Sequence, residues 1–65
     1  MRLSVREREM LGALMVGERH AEIAVRLGIS PKTVYEHVNN AKIKLGARTT
    51  ASAIYEYVTR YKEGL

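Results

Sequence analysis

Apolar side chains fall at positions 10, 11, 14 and 15, then at 23, 24 and 27, then at 34, 38, 41 and 45, and, with Tyr61, at 51, 54, 58 and 61. Each group has the three-to-four-residue spacing of one face of a helix, and none alternates as a strand would. The spacing predicts helices over about 5–16, 20–27, 31–45 and 50–62, an all-α chain of four short helices.

Punctuation between the groups agrees. Ser4 and Glu7 have the S-x-x-E spacing of a capping box, which satisfies two amides at a helix start. Gly17, Gly28 and Gly46 stand where the first three helices should stop. Ser30-Pro31 supplies a cap and a first-turn proline for the third, and Thr49 or Thr50 a cap for the fourth.

Composition narrows the function. Sixty-five residues allow one domain, and a core without Phe or Trp must be thin. There is no Cys, and all seven acidic residues are Glu, so disulfides, a thiol nucleophile and a thiolate metal site are excluded. His20 and His37 lack the companions of a zinc site, and no glycine-rich phosphate loop is present. No catalytic residue, metal, cofactor or small-molecule substrate is expected, and the chain reads as a non-enzyme. Apolar runs are too short to cross a bilayer, giving an expectation of a cytoplasmic protein without a membrane partner. The formal charge of +4 favours a polyanionic partner.

The short second helix, the Gly28-Ile29-Ser30-Pro31 turn and the longer third helix have the layout of a helix-turn-helix, whose second member enters the major groove of double-stranded DNA. Once Val34, Val38, Ala41 and Leu45 are assigned to the core, Lys32, Tyr35, Glu36, Asn39, Asn40 and Ile43 project the other way. Asn39 and Asn40 can pair with adenine, Glu36 can accept from cytosine, and Tyr35 offers a hydroxyl and an apolar edge. Glu36 is equally at home as a solvated charge on a helix. Arg26, Lys32, Lys42, Lys44 and Arg48 border this face as candidate phosphate contacts, with the Ser30 and Thr33 hydroxyls beside them.

The run Leu3-Ser4-x-Arg6-Glu7-Arg8-Glu9-x-Leu11, then Gly17, Glu22-Ile23-Ala24-x-x-Leu27-Gly28-Ile29-Ser30-x-x-Thr33-Val34-x-x-His37 and Lys44-Leu45-Gly46, closely resembles LuxR/GerE-type (NarL/FixJ-like) DNA-binding domains of bacterial transcription regulators. The resemblance covers nearly the whole chain. It implies a four-helix LuxR-type helix-turn-helix bundle with the third helix in the major groove and a homodimer formed through the fourth. It places Tyr35, Glu36 and Asn39 toward bases and Lys32, Thr33 and Lys42 toward the backbone, and gives His37 a packing role. The expected dimer face carries Ala53, Tyr57, Arg60 and Tyr61, with RNA polymerase a further partner of the bound dimer in the bacterial nucleoid.

Two positions depart from the family. Thr50 stands where a basic residue is common, and Tyr57 where a small one is. Tyr55 and Tyr61 serve equally as core or as interface. The start at Met1 suits either a stand-alone regulator or an excised domain. The alternative function is a small interaction module that pairs with a larger regulator and inhibits it; region 4 of sigma factors has a related helix-turn-helix, but the Leu3–Glu9 opening favours the LuxR type.

Overall fold

A computed structural model of the chain describes residues 2–62, with side chains for 2–60. Helices α1 (Val5–Met15), α2 (His20–Leu27), α3 (Pro31–Leu45) and α4 (Thr50–Tyr57) follow one another without a strand among the described residues.

Every helix start has a local chemical cause. The Ser4 hydroxyl accepts the Glu7 amide at 3.1 Å while the Glu7 carboxylate accepts the Ser4 amide at 2.8 Å, closing the capping box. Ser30 accepts the Thr33 amide at 3.1 Å ahead of Pro31, and Thr49 accepts the Ser52 amide at 3.0 Å. Arg19, before α2, has no acceptor to offer, so that helix keeps half a box: Glu22 accepts the Arg19 amide at 2.7 Å.

The ends of α2 and α3 are built alike. Gly28 and Gly46 adopt φ of 69° and 68°, left-handed backbone that a side chain would strain. Behind them Ile29 N–H donates to Ala24 O at 3.0 Å and Ala47 N–H to Lys42 O at 2.9 Å, the six-to-one bond of a Schellman turn.

The core has two lobes. Met10, Ala13, Ile23, Ala24, Val34 and Val38 form the one between α1, α2 and α3, with Leu14, Leu27 and Ile29 against it. Leu3, Leu11, Ala41, Leu45, Ala53 and Tyr57 form the other between α1, α3 and α4. Residues of α3 enter both, so this helix touches each of the others. Small residues sit in these contacts, Ala24 of α2 and Ala41 of α3 being essentially inaccessible, which lets short helices approach closely.

One buried charge ties the ends together. Glu7, only 4% exposed, accepts from Lys44 Nζ at 2.9 Å, joining the first turn of α1 to the last turn of α3. Burial pushes the Glu7 carboxyl up, but the Ser4 amide and the Lys44 ammonium outweigh it and hold the group below its ordinary value of 4.5.

Three expectations change. Met15 is exposed rather than part of the α1 stripe, and its helix ends there with Val16 as cap. The fourth helix stops at Tyr57 and widens into a π-helical segment, Val58–Lys62. There the Thr59 hydroxyl donates to Tyr55 O at 3.1 Å and Glu56 O at 3.2 Å, competing for carbonyls the α-helical ladder would use. Finally, Ala53 and Tyr57 are core residues, 0% and 7% exposed, and are withdrawn from the expected dimer face. The Tyr57 hydroxyl lies over Gly12, 4.0 Å from where a Cβ would stand, an ordinary packing distance that sets this ring against α1.

Glu7→Ala removes a cap and a charge-assisted hydrogen bond together and is expected to cost about 2 kcal/mol by urea unfolding. Because the folded Glu7 carboxyl titrates below its ordinary value, its contribution is present above that value and is lost as pH falls through the folded one. Stability of the wild-type chain minus that of Glu7→Gln should therefore shrink on acidification below about pH 4.5. A difference that stays constant with pH would show that Glu7 carries no such linkage.

Candidate nucleic-acid interface

With one stripe of α3 given to the core, the opposite side is left to solvent. Lys32, Tyr35, Glu36, Asn39, Asn40 and Ile43 are all exposed, as their positions around the helix require. Lys32, Tyr35, Glu36, Asn39 and Lys42 line an open cleft of about 380 Å³ with Val38 at its base. His20, the first residue of α2, and Thr50, the first of α4, complete its wall. The N-terminal ends of two helices thus converge on one flank of α3, and helix N-termini favour anions.

Five of the predicted base-reading or backbone residues, Lys32, Tyr35, Glu36, Asn39 and Lys42, gather here, but Asn40 does not. It lies a further 100° around α3 from Asn39, exposed outside the cleft wall. Ser30 and Thr33 stand at the head of α3 with their hydroxyls 2.9 Å apart, and Ser30 is already engaged as the cap. His37, expected to pack, is half-buried. Arg48 is exposed in the loop leading into α4.

Two predicted phosphate contacts have intramolecular partners. Lys44 is turned inward onto Glu7. Arg26 makes a bidentate pair with Glu18, Nε to Oε2 at 2.9 Å and Nη2 to Oε1 at 2.6 Å. That fork clamps the end of α2 to the loop before it, and the hydrogen bond from Arg26 holds the Glu18 carboxyl below its ordinary value. The cations in the cleft itself are Lys32 and Lys42, set against the single carboxylate of Glu36.

On α4, Arg60 is exposed and paired with Glu56 at 3.0 Å. The Tyr61 side chain lies outside those described. The aromatic that α4 presents to solvent is Tyr55, 66% exposed.

His20 and Thr50 were not among the predicted site residues. Thr50 carried a signal, as the position where the resemblance in sequence implies a basic residue. For His20 there was none: its imidazole stacks on the Tyr35 ring with centroids 4.1 Å apart, a contact between helices that spacing within one helix cannot show.

The family model described as bacterial regulatory proteins, luxR family, matches residues 1–56. The chain belongs to the luxR family. It is 46% identical over 52 residues to the transcriptional regulatory protein MctR of Rhizobium johnstonii, an alignment covering 80% of this chain and 24% of that protein. With the spore germination protein GerE of Bacillus subtilis it shares 43% over 54 residues, 83% of this chain and 73% of GerE. The probable transcriptional regulatory protein SgaR of Hyphomicrobium methylovorum is 44% identical over 57 residues, 88% of this chain and 27% of SgaR. This luxR-family chain therefore spans about a quarter of MctR and SgaR and about three quarters of GerE. The family is one of regulators, not enzymes. Among the described residues no helix is long and apolar enough to cross a membrane.

Arg26→Ala is expected to return the Glu18 carboxyl upward to its ordinary value, followed by carboxyl-carbon NMR across an acid titration. A Glu18 midpoint that does not move would mean that the fork is not formed in solution.

Proposed function

We propose that this domain is a sequence-specific DNA-binding module of a transcription regulator, acting as a homodimer with α3 in the major groove. The observation that carries the reading is the leftover face of α3: a fifteen-residue helix that anchors the whole core with one stripe and presents Lys32, Tyr35, Glu36 and Asn39 together on the other. Base-edge chemistry matches that set. Asn39 pairs with adenine N6 and N7, Glu36 accepts from cytosine N4, and Tyr35 brings its hydroxyl or ring edge to a thymine. Glu36 also argues for specificity, because a carboxylate in a groove is repelled by phosphates unless a base donor meets it.

Phosphate contacts come from Lys32, Lys42 and Arg48, with the head of α3 and the N-termini of α2 and α4 in support. Lys44 and Arg26 drop out, since binding phosphate would break ion pairs that already hold helix ends. Asn40 is placed at the margin. For the dimer, the exposed ridge of α4 is Ala51 and Tyr55, one turn apart, where a small residue beside an aromatic permits close helix approach.

Selection of sites from a random duplex pool tests the reading. A symmetric motif with half-sites about 34 Å apart is expected, bound at least about a thousandfold more tightly than a scramble. Asn39→Ala should erase the preference at one base pair, worth about 1–3 kcal/mol. Lys42→Ala should instead weaken every duplex alike and lower the salt slope by about one. No enrichment, with weak and salt-sensitive binding alone, would overturn the proposal in favour of a module that acts on another protein.

A further inference from the structure

The rings of His20 and Tyr35 are stacked, 4.1 Å between centroids and 8° between planes. One belongs to the first residue of α2, the other to the second turn of α3, and both line the open cleft. This contact is not part of the core. The lobe that joins α2 to α3 is made by Ile23, Ala24, Val34 and Val38, and neither ring belongs to it. Nor does the imidazole help to start α2, where Glu22 takes the Arg19 amide. The stack leaves Tyr35 57% exposed, so it covers part of the ring while the rest stays open to a ligand.

An exposed tyrosine on a helix has more than one accessible rotamer and loses that freedom when it binds. A coplanar ring laid on one face selects a single rotamer beforehand. It also occupies the face on which a base would otherwise stack, leaving the free edge and hydroxyl for contact. We propose that His20 is a positioning residue for base recognition, which fixes the Tyr35 ring so that its edge and hydroxyl, rather than its buried face, meet one base pair. The inference rests on Tyr35 being a base reader, as proposed above. His20 itself touches no base in this scheme; it acts through the tyrosine.

The size of the effect follows from the strength of an aromatic pair, which corresponds to about two- to tenfold in an equilibrium. Binding-site selection with the 65-residue chain, its Tyr35→Ala, His20→Ala and His20→Phe variants and the double alanine variant resolves the two readings. Tyr35→Ala should abolish preference at one base-pair position. His20→Ala should lower preference at that same position by about two- to tenfold while other positions and the salt slope hold. His20→Phe, which keeps a ring but no imidazole nitrogen, should restore it, and the double variant should match Tyr35→Ala. In the free protein the ring-current shift of the Tyr35 ring protons should collapse in His20→Ala and persist in His20→Phe.

If Tyr35→Ala removes a preference that His20→Ala leaves intact, the positioning role is overturned and the base-reading role stands. If Tyr35→Ala alters no position, the base-reading role fails and the positioning role with it. A uniform loss of affinity for all duplexes in His20→Ala would make His20 a phosphate contact or a packing residue, and would equally overturn the inference.

Discussion

Burial of Val34, Val38, Ala41 and Leu45 along α3 is the constraint on which the rest of this small structure depends. A chain without Phe or Trp has little apolar volume to place, and it does so by running one helix through both lobes of the core. Because α3 is held by α1, α2 and α4 together, its orientation is fixed from three sides. The opposite face is then rigidly presented without having to contribute to stability. A recognition surface on such a helix keeps its geometry when its outward residues change, which lets one fold carry different specificities.

Polar contacts refine this frame. Glu7 completes the cap of α1 and receives Lys44 from the end of α3, so one carboxylate fixes the start of one helix against the finish of another. Glu18 does the same between the α1–α2 loop and the last turn of α2 through Arg26. Both pairs place a cation at the C-terminal end of a helix, where the backbone dipole welcomes it. In a luxR-family domain with formal charge +4, some positive residues, Arg26 and Lys44, thus hold helix ends, while others, Lys32 and Lys42, face the cleft.

The helices, their caps and the outward face of α3 were legible in the sequence because each is local: a capping residue, a glycine after the last turn, a stripe four residues apart. What was not legible depends on residues far apart in the chain. Lys44 and Glu7 are 37 positions apart, and no spacing marks Lys44 as different from Lys42. On α4, apolar residues occupy several sides of an eight-residue helix, so two candidate stripes were nearly equivalent by pattern. Packing against Leu3, Leu11, Ala41 and Leu45 took Ala53 and Tyr57, two of the four expected dimer residues, into the core. The widening of the last turn after Tyr57 coincides with hydrogen bonds from the Thr59 hydroxyl to the Tyr55 and Glu56 carbonyls, contacts that hydrophobic periodicity ignores.

The central claim is that the exposed face of α3, with the starts of α2 and α4 beside it, is the surface that meets DNA. Mapping amide shifts of the isotopically labelled chain on addition of its selected duplex tests this most directly. The account predicts changes concentrated at Lys32, Tyr35, Glu36 and Asn39 and at His20 and Thr50, with Met10 and Leu11 in the core of α1 little affected. Changes centred instead on α1, with α3 undisturbed, would contradict it.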